Sequence, residues 1–302
     1  MKLRIATWNI HKGVSAIGTR PRVHGIKQAL SGMAADIVFL QEVQGRHDLL
    51  ALKHTSWPDQ AQHEFLAGDS HHSAYGMNAV YDHGHHGNAL LSRFAIASAN
   101  NHDVSDHAFE SRGILHCVLT LEQRQVHCYV IHLGLFAGSR RRQTEALIEA
   151  VESTASPGAP VLIAGDFNDW TNALSDTLRE RLGVTEVFDE RLPTQRFGDY
   201  LRRLSGRGPR KAPARTFPAA MPVLQLDRVY VRGFDVLSAQ VLHGARWARL
   251  SDHAPIVAEL HLSTGVTPSM QPGRDAQAGA GQDSTTSQPA DSDTDAHAGS
   301  EL

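Results

Sequence analysis

Residues 161–168 read VLIAGDFN, a short aliphatic run that ends at once in a carboxylate and a carboxamide. The aliphatic part is typical of a buried strand. Asp166 and Asn168 lie two positions apart, so an extended backbone points both side chains to the same side. A strand in a hydrophobic core has no packing use for these groups. The segment therefore indicates a core strand that delivers polar side chains to a cleft.

Similar apolar runs recur along the chain and predict its architecture. We expect strands at residues 3–8, 36–40, 88–91, 114–121, 126–133, 161–164, 226–231, 236–242 and 256–262. Apolar residues at helical spacing predict helices near 23–33, at 144–151 after a basic turn at 140–142, and at 173–182. Many strands with a few helices predict an α/β fold of two packed sheets with helices outside.

Most of the predicted strands end in polar residues. These are Asn9, Gln41 with Glu42, His132, Asp166 with Asn168, Asp227, and Asp252 with His253. Groups at strand ends converge in a cleft. Crowded carboxylates repel one another unless a cation lies among them, and oxygen ligands suit Mg²⁺ or Mn²⁺ rather than zinc. Such an ion can act as a Lewis acid on phosphorus, so the pattern predicts phosphoryl chemistry.

The composition divides the chain into a body and a tail. Of 302 residues, 41% are hydrophobic and 20% are charged, which excludes a coiled coil, a collagen or a small disulfide scaffold. Residues 264–302 are acidic and almost without branched aliphatic side chains, so we expect a disordered tail after a domain at 1–263. No apolar run reaches the roughly 18 residues of a membrane span. We expect a soluble, cytoplasmic protein. The sequence does not determine its oligomeric state.

The two cysteines lie in adjacent predicted strands. A hairpin that turns on Glu122 and Gln123 would place Cys117 opposite Cys128. A cross-strand disulfide is one alternative, and we favour reduced, packed thiols in a cytosolic chain.

Several segments, taken together and in order, resemble the endonuclease/exonuclease/phosphatase superfamily over residues 3–262. They are TWNIHKG (7–13), QEV (41–43), GNALLSR (87–93), IHLG (131–134), GDFN (165–168), TFP (216–218), LDRVYV (226–231) and SDHAP (251–255). The resemblance implies a four-layered α/β/β/α sandwich, like deoxyribonuclease I, of two packed mixed sheets with outer helices. It also implies a divalent-metal site that hydrolyses phosphate esters. The chain is similar to small bacterial members encoded beside cardiolipin synthase.

The resemblance also implies a metal site. Glu42 is the principal ligand, with Asn9 and Asp252 as further ligands, and Asn9 also supports a phosphate oxygen. Nucleases of the family commonly carry an acidic residue two positions after the asparagine, where this chain has His11. The local negative charge is therefore lower, which puts a second metal ion in doubt.

The catalytic residues implied by the resemblance surround this metal. Asp166 and Asn168 activate the attacking water and donate to a phosphate oxygen, and His132 donates to a phosphate oxygen or to the leaving group. His253 is a general base or a transition-state stabiliser, and Asp227 orients its ring.

Other residues are candidates for holding an anionic substrate. Asn88 and Arg112 are expected to bind phosphate, with Asn88 also supporting the site. A predicted loop at 196–215 is rich in arginine and is either a polyanion-binding segment or a solvated insertion. A second predicted loop, 71–86, contains five histidines that we interpret as solvated residues rather than a metal site.

The sequence favours a Mg²⁺-dependent (or Mn²⁺-dependent) phosphodiesterase that uses in-line water attack. Its phosphate-ester substrate is a nucleic acid or a phospholipid headgroup. The near-neutral body does not distinguish them, and apolar residues beside Arg215 (Phe217, Pro218, Met221 and Pro222) hint at lipid. The alternative is a non-catalytic phosphate-binding module that retains the fold.

Overall fold

A computed structural model describes residues 1–15, 20–106, 110–189 and 214–263 of the chain. The predicted tail, 264–302, and all of the predicted arginine loop except its last two residues lie outside the described residues. No helix in the described part is both long and apolar enough to cross a bilayer.

The described residues form twelve strands and six α-helices. The strands are β1 Lys2–Asn9, β2 Ile37–His47, β3 His72–Tyr81, β4 Gly84–Ser92, β5 Ile96–Asp103, β6 Gly113–Leu121, β7 Arg124–His132, β8 Val161–Asp166, β9 Thr185–Glu186, β10 Asp227–Arg232, β11 Phe234–Val241 and β12 Ile256–Leu262. The helices are α1 Val23–Met33, α2 Asp48–Lys53, α3 Gln62–Ala67, α4 Ala137–Thr154, α5 Ser175–Leu182 and α6 Ala245–Ala248.

The strands build two six-stranded mixed sheets. One has the order β11-β12-β1-β2-β4-β3 and the other β5-β6-β7-β8-β10-β9. Alternate side chains, among them Phe39, Leu90 and Val130, fill a core between the sheets. The opposite faces pack against α1 and α3 on one side and against α4 and α5 on the other. The expected four-layered α/β/β/α sandwich is therefore confirmed.

The hairpin of β6 and β7 has the predicted register. Glu122 and Gln123 form its turn with φ of 48° and 64°, and Cys117 lies opposite Cys128. Two consecutive residues with positive φ match the right-handed twist of the flanking strands. Burial raises the pKa of the Cys117 thiol to about 12, so it stays protonated at neutral pH.

Two expectations about the elements were wrong, and some strands were not predicted. Residues 71–86 are not a loop, because most of them form the hairpin of β3 and β4, in which His85 and His86 pair with Val80 and Ala79. The basic residues 140–142 lie within α4 rather than in a turn before it. The strand β5 was missed because nearly all of its side chains are exposed, so its sequence has no apolar alternation.

The topology brings the polar strand ends to one end of the sandwich, here called the cleft end. The pairs β1–β2 and β7–β8 are parallel, so Asn9 lies beside Gln41 and His132 lies beside Asp166. The strand β10 is antiparallel to β8, which places its first residue, Asp227, opposite Asp166. The start of β12 lies at the same end, because it pairs antiparallel with β1.

A buried histidine pair on the second sheet makes a testable contribution to stability. His116 Nε2 lies 3.1 Å from His127 Nδ1, and burial lowers the pKa of His116 to about 4. The unfolded chain binds a proton near pH 6.5, so stability present above that value is lost as the pH falls toward 4. We expect His116→Gln to flatten the fall in the urea midpoint between about pH 7 and pH 4.5. The matched substitution of the exposed His72→Gln should retain the wild-type slope, and equal slopes in all three proteins would contradict the prediction.

Candidate active site

The carboxylate of Asp166 lies at the centre of the cleft end. Gly165 has φ of 153°, and a Cβ there would lie 1.9 Å from the carbonyl oxygen of Ile131, so only glycine fits before Asp166. Asp166 Oδ1 accepts the backbone N–H of Asn168 at 3.0 Å. Asn168 adopts φ of 50° and donates through Nδ2 to the carbonyl of Leu133 at 2.9 Å. The Asn168 amide, which was predicted to donate to a phosphate oxygen, therefore already donates to the residue that follows β7.

The second oxygen of Asp166 faces three side chains from distant parts of the chain. Asn9 Nδ2 donates to Oδ2 at 3.2 Å, His132 Nε2 lies at 3.6 Å and His253 Nε2 lies at 3.8 Å. Burial raises the pKa of Asp166 to about 7, against the lowering effect of His253. A carboxyl group with this pKa can exchange a proton near neutral pH.

His253 and Asp227 form a buried pair. His253 Nδ1 lies 2.9 Å from Asp227 Oδ2, and the indole of Trp8 donates to the His253 carbonyl at 2.9 Å. Burial alone lowers the pKa of His253, but Asp227 and Asp166 raise it to about 10. The ring is therefore a cation at neutral pH, which favours charge stabilisation over action as a base.

His132 differs from His253 in the direction of its pKa shift. Burial, together with the nearby Arg112 charge, lowers the pKa of His132 well below its ordinary value. Its ring is neutral at pH 7 and can donate one hydrogen bond. The cleft therefore holds a charged and a neutral imidazole on either side of Asp166.

At the mouth of the cleft, Asn9 links Glu42 of its own sheet to Asp166 of the other sheet. Asn9 Nδ2 donates to Glu42 Oε1 at 3.1 Å as well as to Asp166, while Asn9 Oδ1 accepts the backbone N–H of His11 at 3.1 Å. In this orientation the nitrogen of Asn9 faces the carboxylates and positions them, and its role as a metal ligand stays a prediction. Glu42 lies in a bulge of β2 with φ of 53°, which turns its side chain into the cleft.

Two basic residues that follow Asn9, His11 and Lys12, were not predicted as site residues from the sequence. Lys12 Nζ lies 3.8 Å from Glu42 Oε2, and His11 Nδ1 lies 3.0 Å from Asp252 Oδ1. The hydrogen bond to Asp252 raises the pKa of His11 against its burial. Both residues have positive φ, which folds this turn back over the cleft. Their position in the chain, just after Asn9, was the sequence signal that could have identified them as site residues.

Asn88 and Arg112 use their donors on the protein itself. Asn88 Nδ2 donates to the carbonyls of Gly113 and Val130 at 2.8 and 3.3 Å, and so joins the two sheets. Arg112 Nε donates to the carbonyl of Leu133 at 3.3 Å. Both amide hydrogens of Asn88 are therefore engaged, whereas Arg112 uses three of its five N–H groups, on Leu133, Ser111 and Glu110. Phosphate binding by either residue stays a prediction.

The donor set fits a hard divalent cation. Glu42 and Asp252 are both partly exposed at the cleft, with 19% and 26% of their side chains accessible. Asp166, Asp227 and His253 place one potential ligand atom each within 4.8 Å of one another, and Asp227 Oδ1 is buried without a hydrogen-bond partner. Carboxylate oxygens are the ligands that Mg²⁺ and Mn²⁺ prefer.

The charge on His253 can be tested by titration. We expect its ring carbon signals, followed by NMR in metal-free buffer, to stay those of imidazolium through neutral pH and change near pH 10. In Asp227→Asn the pKa should fall toward the ordinary value of about 6.5, because the partner charge is gone. Asp235→Asn, which removes a surface carboxylate 3.6 Å from His261, serves as the control and should leave His253 unchanged. A wild-type midpoint near pH 6.5 would contradict this electrostatic picture.

Comparison with known proteins agrees with the geometry. The sequence matches the Endonuclease/Exonuclease/phosphatase family over residues 6–253. It is 41% identical over 262 residues to the uncharacterized protein YbhP of Escherichia coli K12, a match that covers 86% of this chain and 96% of that protein.

Solved structures support the fold. An endonuclease/exonuclease/phosphatase from Bacteroides vulgatus superposes with a TM-score of 0.65 at 16% identity, covering 87% of this chain and all of the other. A mannosyl-6-phosphatase from Bacteroides thetaiotaomicron superposes with a TM-score of 0.63 at 18% identity, covering 86% and 99%. With a family match across most of its length, this chain belongs to the endonuclease/exonuclease/phosphatase family.

Proposed function

We propose that this protein is a divalent-metal-dependent phosphodiesterase that cleaves its substrate by in-line attack of water. The observation that carries the proposal is the position of Asp166 Oδ2, within 3.8 Å of Asn9, His132 and His253. These groups come from both sheets and have no role in the hydrophobic core. Family membership supports a phosphoesterase in general, and the proposal narrows it to diesters.

Glu42 and Asp252 would hold Mg²⁺ or Mn²⁺, with the Asp166 and Asp227 carboxylates nearby. When bound, the ion supplies Lewis-acid polarisation of a phosphate oxygen. Lys12 adds positive charge at the same mouth of the cleft, and His11, whose pKa is raised by its hydrogen bond to Asp252, adds a further charge when it is protonated. This charge suits a site with one bound ion.

In this proposal, one residue accepts the proton of the attacking water and others stabilise the negative charge that develops. Asp166, with a pKa of about 7, accepts the proton of the attacking water. The imidazolium of His253, held by Asp227, stabilises the negative charge that develops on the phosphorus oxygens. Neutral His132 donates a hydrogen bond to a phosphate or leaving-group oxygen. Asn9, Asn88, Asn168 and Arg112 hold these groups in place.

Two further predictions belong to this proposal. We propose that residues 1–263 are the catalytic domain and that residues 264–302 are dispensable for hydrolysis. A cytoplasmic location also stays a prediction.

Turnover provides the direct test. Purified protein should release p-nitrophenol from bis(p-nitrophenyl) phosphate with Mg²⁺ or Mn²⁺, and excess chelator should stop the release. We expect His253→Ala to lower kcat by about a thousandfold, because a preorganised cation at the transition state is lost. His72→Ala, at the opposite end of β3, should keep the wild-type rate.

The outcome separates an enzyme from a phosphate-binding module. No release by the wild type, or equal rates for wild type and His253→Ala, would contradict the hydrolase. Since a structural relative is a mannosyl-6-phosphatase, p-nitrophenyl phosphate is included, and faster cleavage of this monoester would contradict the preference for diesters.

Metal binding has a readout independent of turnover. Saturating Mg²⁺ should raise the thermal midpoint of the wild type, because a ligand that binds only the folded state stabilises it. We expect Glu42→Gln to remove this shift while its midpoint in chelator stays within about 3 °C of wild type. Glu149→Gln, an exposed residue of α4, should respond like the wild type. A full Mg²⁺ shift in Glu42→Gln would exclude Glu42 as the principal ligand.

A further inference from the structure

Exposed large apolar side chains are concentrated at the cleft end. The described residues contain twelve of them, and eleven lie at this end, either on the connections or in the half of β3 nearest the β3–β4 turn. They are Leu49, Leu52, Met77, Val80, Tyr81, Leu135, Phe136, Trp170, Met221, Val223 and Leu224. The twelfth, Leu237, lies within β11 beside Lys2 and Arg4 of the first sheet.

The position of these residues follows from strand direction. The strand β2 runs toward the cleft, so the helix α2 that follows it starts there. The antiparallel pair β3–β4 turns at the same end, because Gly84 of that turn lies opposite His47 at the end of β2. The connections β7–α4 and β8–α5 and the segment before β10 also border the cleft. Scattered surface apolar residues are normal, but such a one-sided distribution is typical of an interaction surface.

Two of these segments adjoin the catalytic groups. Leu135 and Phe136, 56% and 65% exposed, follow directly after the strand that ends in His132. Trp170 lies two residues beyond Asn168 and is 49% exposed. These side chains therefore stand on one flank of the cleft.

The opposite flank is built by the turn before β10. The ring of Phe217 packs against His253 with centroids 5.1 Å apart. The turn that follows projects Met221 and Val223, which are 74% and 53% exposed. Apolar side chains therefore border the cleft on both sides, on separate loops rather than in one groove.

Basic and aromatic residues accompany the apolar ones. The guanidinium of Arg246, an exposed residue, lies 5.4 Å from the centre of the Trp247 ring. Arg140 lies 4.9 Å from the Trp170 ring, but it is only 5% exposed and donates to the carbonyl of Leu135, so it supports this ring and does not add to the surface charge. Arg141, Arg215 and Arg249 are exposed on the same connections. Tryptophan with arginine beside aliphatic side chains is typical of proteins that bind the surface of an anionic bilayer.

We propose that the cleft end docks on an anionic phospholipid bilayer and that the substrate is a phospholipid diester in that bilayer. This inference rests on the proposed function. Water adds to phosphorus, one P–O ester bond breaks, and the leaving oxygen takes up a proton to give an alcohol and a phosphomonoester. Nucleic acid is less suited to this surface, because a polyanion in water gains nothing from exposed Leu, Met and Val side chains.

Vesicle binding and lipid cleavage test the proposal with the full-length protein. Large vesicles of phosphatidylcholine with about 30% phosphatidylglycerol should co-sediment the protein, and pure phosphatidylcholine should bind it less. We expect Leu135→Ser with Phe136→Ser, and separately Met221→Ser with Val223→Ser, to weaken binding and vesicle-lipid hydrolysis at least about tenfold. Leu237→Ser is the matched control and should bind as the wild type does.

The soluble diester separates the two proposals. Both double variants should keep the wild-type rate on bis(p-nitrophenyl) phosphate, because they alter docking and not the catalytic groups. Activity on that diester without vesicle binding, or equal losses in Leu237→Ser, would overturn the membrane proposal and leave the phosphodiesterase standing. Vesicle binding without diester or lipid cleavage would overturn the phosphodiesterase and the lipid substrate. Faster cleavage of plasmid DNA than of vesicle lipid would overturn the lipid substrate alone.

Discussion

The buried carboxylate of Asp166 is the constraint on which the cleft depends. It is 1% exposed and lies opposite Asp227, so the protein holds two acidic groups side by side where water cannot screen them. Such an arrangement is costly unless cations and donors surround it. His253 supplies the cation, and Asn9 supplies a donor that is shared with Glu42. The neighbouring carboxylates raise the pKa of His253 to about 10, whereas burial raises the pKa of Asp166 to about 7.

Unfavourable backbone conformations concentrate around this carboxylate. Glu42 and Asn168 have positive φ, and Gly165 has a conformation that only glycine tolerates. Asn168 is held by hydrogen bonds to Asp166 and to the Leu133 carbonyl, and Glu42 accepts a hydrogen bond from Asn9. Strain of this kind persists at functional sites because the surrounding fold determines the backbone. The sandwich therefore acts as a rigid frame, and the loops at the cleft end carry exposed apolar and basic groups.

Family membership accounts for the two-sheet sandwich better than for the exposed side chains of its loops. Solved relatives with 16% and 18% identity share the fold over most of this chain. Loops vary more than the elements they connect. The bulge at Glu42 and the register of β7, β8 and β10 place the proposed catalytic groups, whereas the proposed lipid substrate depends on the exposed side chains of the connections.

The sequence alone determined the core strands, the turn at Glu122 and Gln123, and the polar residue types at the strand ends, because these follow from local periodicity and spacing. It misassigned residues 71–86 and missed β5, where exposed or histidine-rich strands lack the apolar pattern. Only the tertiary structure decided which atoms face each other. Asn9 and Asp166 are 157 residues apart, and the direction of their hydrogen bond depends on neighbours from both sheets. Strand direction and packing also place Lys12 beside Glu42 and bring exposed apolar side chains to one end. A local sequence pattern holds no information on either.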